Sequence, residues 1–92
     1  MFVALTDAGD VDETLRAVLI DVLGLPRERV NAFNDKSPLF GALPEFDSMA
    51  VAGLLTELEE RLGITIEDDE VDADMLENYG ALLTFAKAKA LR

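Results

Sequence analysis

Residues 43–63, "LPEFDSMAVAGLLTELEERLG", run from a proline-containing turn into an amphipathic helix and stop at a glycine. Val51, Leu54, Leu55, Leu58 and Leu62 recur at the spacing of one helical face, whereas Glu57, Glu59, Glu60 and Arg61 fall off it. The stretch predicts a helix over Ser48–Leu62 with Gly63 as its left-handed stop. One serine, Ser48, stands at the joint between turn and helix. A hydroxyl there has two physical readings. It can cap the helix by accepting a first-turn backbone N–H. It can also be a handle for a phosphate group, which the unpaired N–H groups and the positive end of the dipole favour by about 0.3–1 kcal/mol when exposed. Asp47, directly before it, partly opposes a second negative charge. This stretch alone leaves both readings open.

Working outward, the chain is dominated by helix signals. Asp10 and Glu13 have the spacing of a capping box ahead of a stripe formed by Val11, Leu15, Val18, Leu19 and Val22. Gly24 and Pro26 end that helix, and "PRERV" predicts a short helical turn with Pro26 in its first turn. A further helix is predicted from Asn78 or Tyr79, carrying Leu82, Leu83 and Phe85 into the basic tail "KAKALR". Lys87, Lys89 and Arg92 there complement the negative end of the dipole. The segment from Gly24 to Asp47 is long for a connection, which signals either function or an unrecognised element. Its Val30, Phe33, Leu39, Phe40, Leu43 and Phe46 are expected to pin it to the bundle. In "ITIEDDEVDADMLE" the alternation Ile64-Thr65-Ile66 is too short to pair as a sheet, and Ala73–Leu76 predicts one helical turn. The expected fold is all-α: a four-helix bundle of three longer helices and one short helix, with a long loop between the first two longer ones. Residues 1–92 read as a single domain with one modest core.

Charge narrows the function. The formal net charge is −11, from 19 acidic and 8 basic residues, which opposes nucleic acid and anionic membrane surfaces. It favours protein partners that present Lys and Arg. Half of the residues are hydrophobic, which argues against disorder, and no apolar run approaches membrane-spanning length. "MFVALTDAGD" lacks the basic region of a signal peptide, so a soluble cytoplasmic protein is expected. Cysteine is absent and no disulfide framework is available.

Catalysis finds little support. The chain has no histidine, so a Ser-His-Asp arrangement at Ser48 is impossible. Nothing in the sequence brings Lys36, Lys87 or Lys89 to Ser48 as an alternative base. The acidic run fails as a calcium loop as well. Counted from Asp68, Ala73 occupies the glycine position, and Tyr79 stands where a bidentate carboxylate is required. No metal site and no catalytic residue are predicted, and the acidic run reads as a solvated face.

"FDSM", Phe46-Asp47-Ser48-Met49, resembles the Asp-Ser-Leu attachment motif of acyl carrier proteins, with Met49 in the leucine place. The run that follows, "LLTELEERLGITIEDDEV", is similar to that family over Leu58-Glu59-Glu60, Ile64, Ile66 and Glu67 to Glu70 without a gap. Order and length of the elements agree from about Val11 to Ala90. The resemblance implies that Ser48 receives a 4′-phosphopantetheine arm from coenzyme A, added by a separate phosphopantetheinyl transferase with magnesium. It implies an acyl or related group carried on the arm's thiol, which this cysteine-free chain does not itself supply. Asp47 resembles the family aspartate that helps bind the transferase's metal. Met49, Glu57, Glu59 and Glu60 would form the recognition surface for acyl-activating or acyl-transferring enzymes with basic docking surfaces. A monomeric, non-catalytic carrier is expected.

The departures bear on the pathway. The approach "GALPEF" replaces the family's usual Leu-Gly-x, and the opening "SMAVAGLL" lacks the acidic residues common in carriers of fatty-acid synthesis. Gly53 costs the helix about 0.8–1 kcal/mol against alanine, which close helix packing or a partner's approach would explain. A specialised pathway stands beside fatty-acid and polyketide synthesis. The alternatives are an unmodified acidic interaction module of the same fold and an aminoacyl carrier, whose usual Gly-Gly-x-Ser approach "EFDS" does not match.

Overall fold

The computed structural model describes residues 8–91. The apolar N-terminal run 1–7 and Arg92 at the basic tail lie outside the described residues. Four α-helices follow in order: α1 (Ala8–Leu23), α2 (Arg27–Asn31), α3 (Ser48–Leu62) and α4 (Tyr79–Ala90). Two 3-10 turns, Asp68–Glu70 and Asp74–Leu76, lie between α3 and α4. Among the described residues there is no strand, only an isolated bridge between Pro38 and Asn78.

The predicted stripes face inward. Val11, Leu15, Val18 and Leu19 of α1 are fully buried against Leu54 and Leu58 of α3 and Leu82 and Ala86 of α4. Each such aliphatic side chain withdrawn from water contributes about 1.5–3 kcal/mol. Both α3 and α4 pack on α1. Val22, Val51, Leu55, Leu62 and Phe85 are half-buried at the margins of the same core.

The helix ends mostly follow the sequence. Gly24 and Gly63 adopt φ of +68° and +65° as left-handed stops, and Asn78 caps α4 by accepting the Ala81 N–H at 2.8 Å. The start of α1 differs. The helix begins at Ala8, so Asp10 lies inside its first turn and is not the cap of a box with Glu13. The reciprocal box forms instead between Glu67 and Glu70, around the first 3-10 turn. Pro26 likewise stands one place before α2, as its N-cap.

The long connection 32–47 holds its place through backbone pairing with the start of α4. Leu39 and Phe40 donate to the carbonyls of Glu77 and Leu76, while Tyr79 and Gly80 donate to those of Ser37 and Asp35. Leu39, Leu43 and Phe46 are buried and Phe33 half-buried. Phe40 is the exception. It remains 42% exposed and lies edge-on to Phe46 at 5.8 Å.

Arg16, to which the sequence pattern assigned no role, ties α2 to α1. Its guanidinium donates to the carbonyl of Val30 within α2 (2.6 Å), to that of Phe33 just after it (3.1 Å) and to Asp12 at 3.2 Å. It also lies 4.6 Å from the centre of the Tyr79 ring. Tyr79 is buried and donates its hydroxyl to Asp12. Burial first, and the Asp12 carboxylate second, hold this phenol well above its ordinary value of 10.0.

Candidate functional site

The chain reaches the head of α3 through Phe46, which is buried and therefore fixes where the next residues emerge. Asp47 follows in an extended conformation, and its Oδ1 accepts the Ala50 N–H at 2.8 Å. Its carbonyl accepts the Val51 N–H at 2.9 Å and opens the helical ladder. Asp47, not Ser48, is the N-cap. This corrects the capping reading of the serine, and the reason is geometric. The capping side chain must belong to the non-helical residue before the first turn, whereas Ser48 already has helical conformation.

Ser48 is exposed, and among the described residues its hydroxyl has no hydrogen-bond partner. Its own N–H and that of Met49 belong to the first turn, whose amides lack intrahelical acceptors. The side chain thus leaves the protein where anionic oxygens are electrostatically favoured. Neither an amine nor a carboxylate bonds to it. Among the described residues no lysine, Lys36 included, bonds to Ser48, so no Ser-Lys pair forms; Lys89 is engaged by Glu70 (2.8 Å) and Lys87 lines a separate depression along α4. These features fit a phosphodiester-linked group at Ser48: an accessible oxygen, first-turn donors around it, and room beyond.

That room is a groove of about 470 Å³ opening at Ser48. One wall is the α3 face carrying Val51, Ala52, Leu55 and Thr56, and the other comes from Ile66, Asp68 and Val71. Val51, Leu55, Ile66 and Val71 give it an apolar lining. A larger depression of about 660 Å³, lined by Asp35, Asp72, Asp74 and Lys87 among others, lies along α4 and includes no residue of the Ser48 stretch.

The acidic side chains divide by geometry. Glu59 accepts the Ile66 N–H at 2.7 Å and so holds the turn after α3, a local role the sequence reading did not give it. Glu57 pairs with Arg61 (2.9 Å), which also reaches Asp21 of α1 at 2.7 Å. The Asp21 hydrogen bond is the main reason that the Arg61 guanidinium holds its proton more firmly than usual. Of the four recognition residues expected on this helix, Met49 and Glu60 point outward, with Met49 85% exposed. The acidic run is tied to its own chain. Asp72 accepts the Met75 N–H at 2.9 Å, and Glu70 is shared between the Glu67 N–H and Lys89. Gly53 faces α1, where an added Cβ would meet Val22 Cγ1 at 3.3 Å, so the glycine lies at a close approach of the two helices.

A family model described as "Phosphopantetheine attachment site" matches residues 13–85. The solution NMR structure of a holo acyl carrier protein from Nitrosomonas europaea is similar, with a TM-score of 0.75 and 38% sequence identity. That similarity covers 85% of this chain and 92% of the other. No curated protein matches. A helical bundle built on α1, an exposed serine at the head of α3 and a match across most of the length lead to one conclusion: the chain belongs to the acyl carrier family of phosphopantetheine-attachment domains, whose cofactor is a covalently held 4′-phosphopantetheine.

Proposed function

We propose that this carrier holds its 4′-phosphopantetheine on Ser48 and delivers acyl groups among soluble cytoplasmic enzymes of a biosynthetic pathway. The observation that carries the attachment point is the division of labour at the head of α3. Asp47 caps the helix, and the neighbouring hydroxyl is left exposed and without a partner. When bound, the group supplies a flexible arm ending in a thiol, on which an acyl group travels as a thioester. The protein's own residues do the rest. Phe46 anchors the approach, the Ser48 and Met49 N–H groups of the first turn would be the donors open to a phosphodiester, and the groove beginning at Ser48 offers apolar cover. No base of this chain bonds to the Ser48 hydroxyl, so proton removal falls to the phosphopantetheinyl transferase.

Partner enzymes meet an acidic surface. Glu60 at the end of α3 and Glu67, Asp68 and Asp69 in the turn after it are exposed, and the net charge of −11 steers cationic docking sites while opposing self-association. A monomeric carrier follows. The first turn of α3 contains no acidic residue, which separates this surface from carriers that place carboxylates there and favours dedicated partners in a specialised pathway. Intact mass measurement after incubation with a broad-specificity transferase, magnesium and coenzyme A tests the reading. Wild type should gain one phosphopantetheine and Ser48→Ala none. A wild-type chain that gains nothing would make it an unmodified interaction module.

A further inference from the structure

Lys89 is the least exposed cation among the described ion pairs. Its side chain is 10% exposed, against 21% for Arg16, 33% for Arg61 and 43% for Arg29. Burying an ammonium is costly unless it is paired, and Nζ lies 2.8 and 3.0 Å from the two oxygens of Glu70. Glu70 Oε2 also accepts the Glu67 N–H at 2.8 Å. One carboxylate therefore joins the last turn of α4 to the 3-10 turn Asp68–Glu70. That turn belongs to the stretch 64–71, whose Ile66, Asp68 and Val71 form the outer wall of the groove at Ser48. The wall hangs from α3 by the Glu59 to Ile66 N–H bond and from α4 by Lys89. None of its apolar side chains is fully buried: Ile64, Ile66 and Val71 remain half-exposed. Ile66 and Val71 pack partly against the core, and the ion pair adds a tether from α4 to that incomplete apolar anchorage.

We propose that Lys89 is a positioning residue for the carried group: its pair with Glu70 holds stretch 64–71 as the groove wall that covers an acyl chain extending from Ser48. The inference rests on the reading of Ser48 as the attachment point, because the groove begins there. Lys89→Met keeps the apolar stem and removes the charge, whereas Lys89→Arg keeps the charge. Amide hydrogen exchange on the full chain should speed up about tenfold over 66–71 in Lys89→Met, the effect of one charge-assisted hydrogen bond of ordinary strength. Amides of α1 and α3 should not change, and Lys89→Arg should restore the wild-type rates. In a second arm, a phosphopantetheinyl transferase with magnesium moves the acylated arm of octanoyl- or acetyl-coenzyme A onto Ser48, releasing adenosine 3′,5′-bisphosphate, and the thioester is attacked with hydroxylamine. Cleavage of octanoyl should accelerate in Lys89→Met by a similar factor, and that of acetyl should not. Unchanged exchange over 66–71, equal acceleration in α1 and α3, or equal acceleration of both thioesters would overturn the proposal. Failure of Ser48 to accept either group would contradict the attachment reading, while the exchange rates decide the wall regardless.

Discussion

Asp47 Oδ1 accepts the Ala50 N–H, and the resemblance gives the same carboxylate a part in binding the transferase's metal. Two substitutions separate these duties. Asp47→Asn keeps a good capping acceptor, so its melting temperature should stay near that of wild type while arm transfer slows. Asp47→Ala should slow transfer and also lose about 0.5–2 kcal/mol of stability. Equal melting of the two variants would contradict the cap. Tyr79, the one tyrosine of the chain, offers a second test at this scale. Its phenol stays protonated in the folded state well above 10.0, whereas the unfolded chain ionises near that value. Stability conferred by this group is therefore fully present below pH 10 and is lost as pH rises further. Tyr79→Phe should flatten that alkaline loss in denaturant titrations, and tyrosinate absorbance should appear in wild type only as the domain unfolds. Absorbance rising at pH 10 without unfolding would refute the assignment.

Two helical glycines look alike in the sequence and differ in what they touch. At Gly53 an added Cβ meets only Cγ1 of half-buried Val22, at 3.3 Å, a contact relieved by a shift of a few tenths of an ångström between the helices. At Gly80 it would lie 2.6 Å from the Asp35 carbonyl oxygen, a backbone atom held in place by the Gly80 N–H itself at 2.9 Å. Gly53→Ala should therefore recover part of the helix propensity, about 0.5 kcal/mol. Gly80→Ala should cost about 1–3 kcal/mol by overpacking. Thermal melts that rank the two the other way would contradict the packing described. This contrast marks where legibility ends. The bounds of α3, the caps at Gly24 and Gly63, and the buried stripe of α1 follow from period and turn chemistry, which are local. Ser48 was legible as a candidate for the same reason. The pairing of 35–40 with 76–80, the clamp of Arg16 and the bond from Glu59 to Ile66 join residues distant along the chain or facing inward from a loop, and no local pattern encodes them. The missed start of α1 has another cause: Asp10 and Glu13 satisfy the capping spacing, yet the helix continues past them to Ala8.

For the molecule as a whole, charge sets the response to ions. The stretch from Glu67 to Asp74 carries many carboxylates, and Lys89 reaches it from α4 through space although no cation lies between Arg61 and Lys87 in sequence. One pair leaves most of the repulsion in place, and exposed ion pairs elsewhere return little. The melting temperature of the unmodified protein should rise gradually with magnesium or calcium at fixed ionic strength, with small preference between them. Among the described residues no cluster of three ligating side chains could hold a metal, so the rise should not saturate at micromolar calcium; saturation there would contradict diffuse screening. The same acidic molecule presents one hydroxyl at the head of α3, and the account stands on that atom. Its most direct test is fragmentation mass spectrometry of the protein co-expressed with a transferase, which locates the added group along the chain. The account predicts one phosphopantetheine on the peptide containing Ser48, released from that residue alone. The same mass on Ser37, Thr56 or any other residue, or a Ser48 peptide that remains unmodified while the protein is loaded, would contradict it.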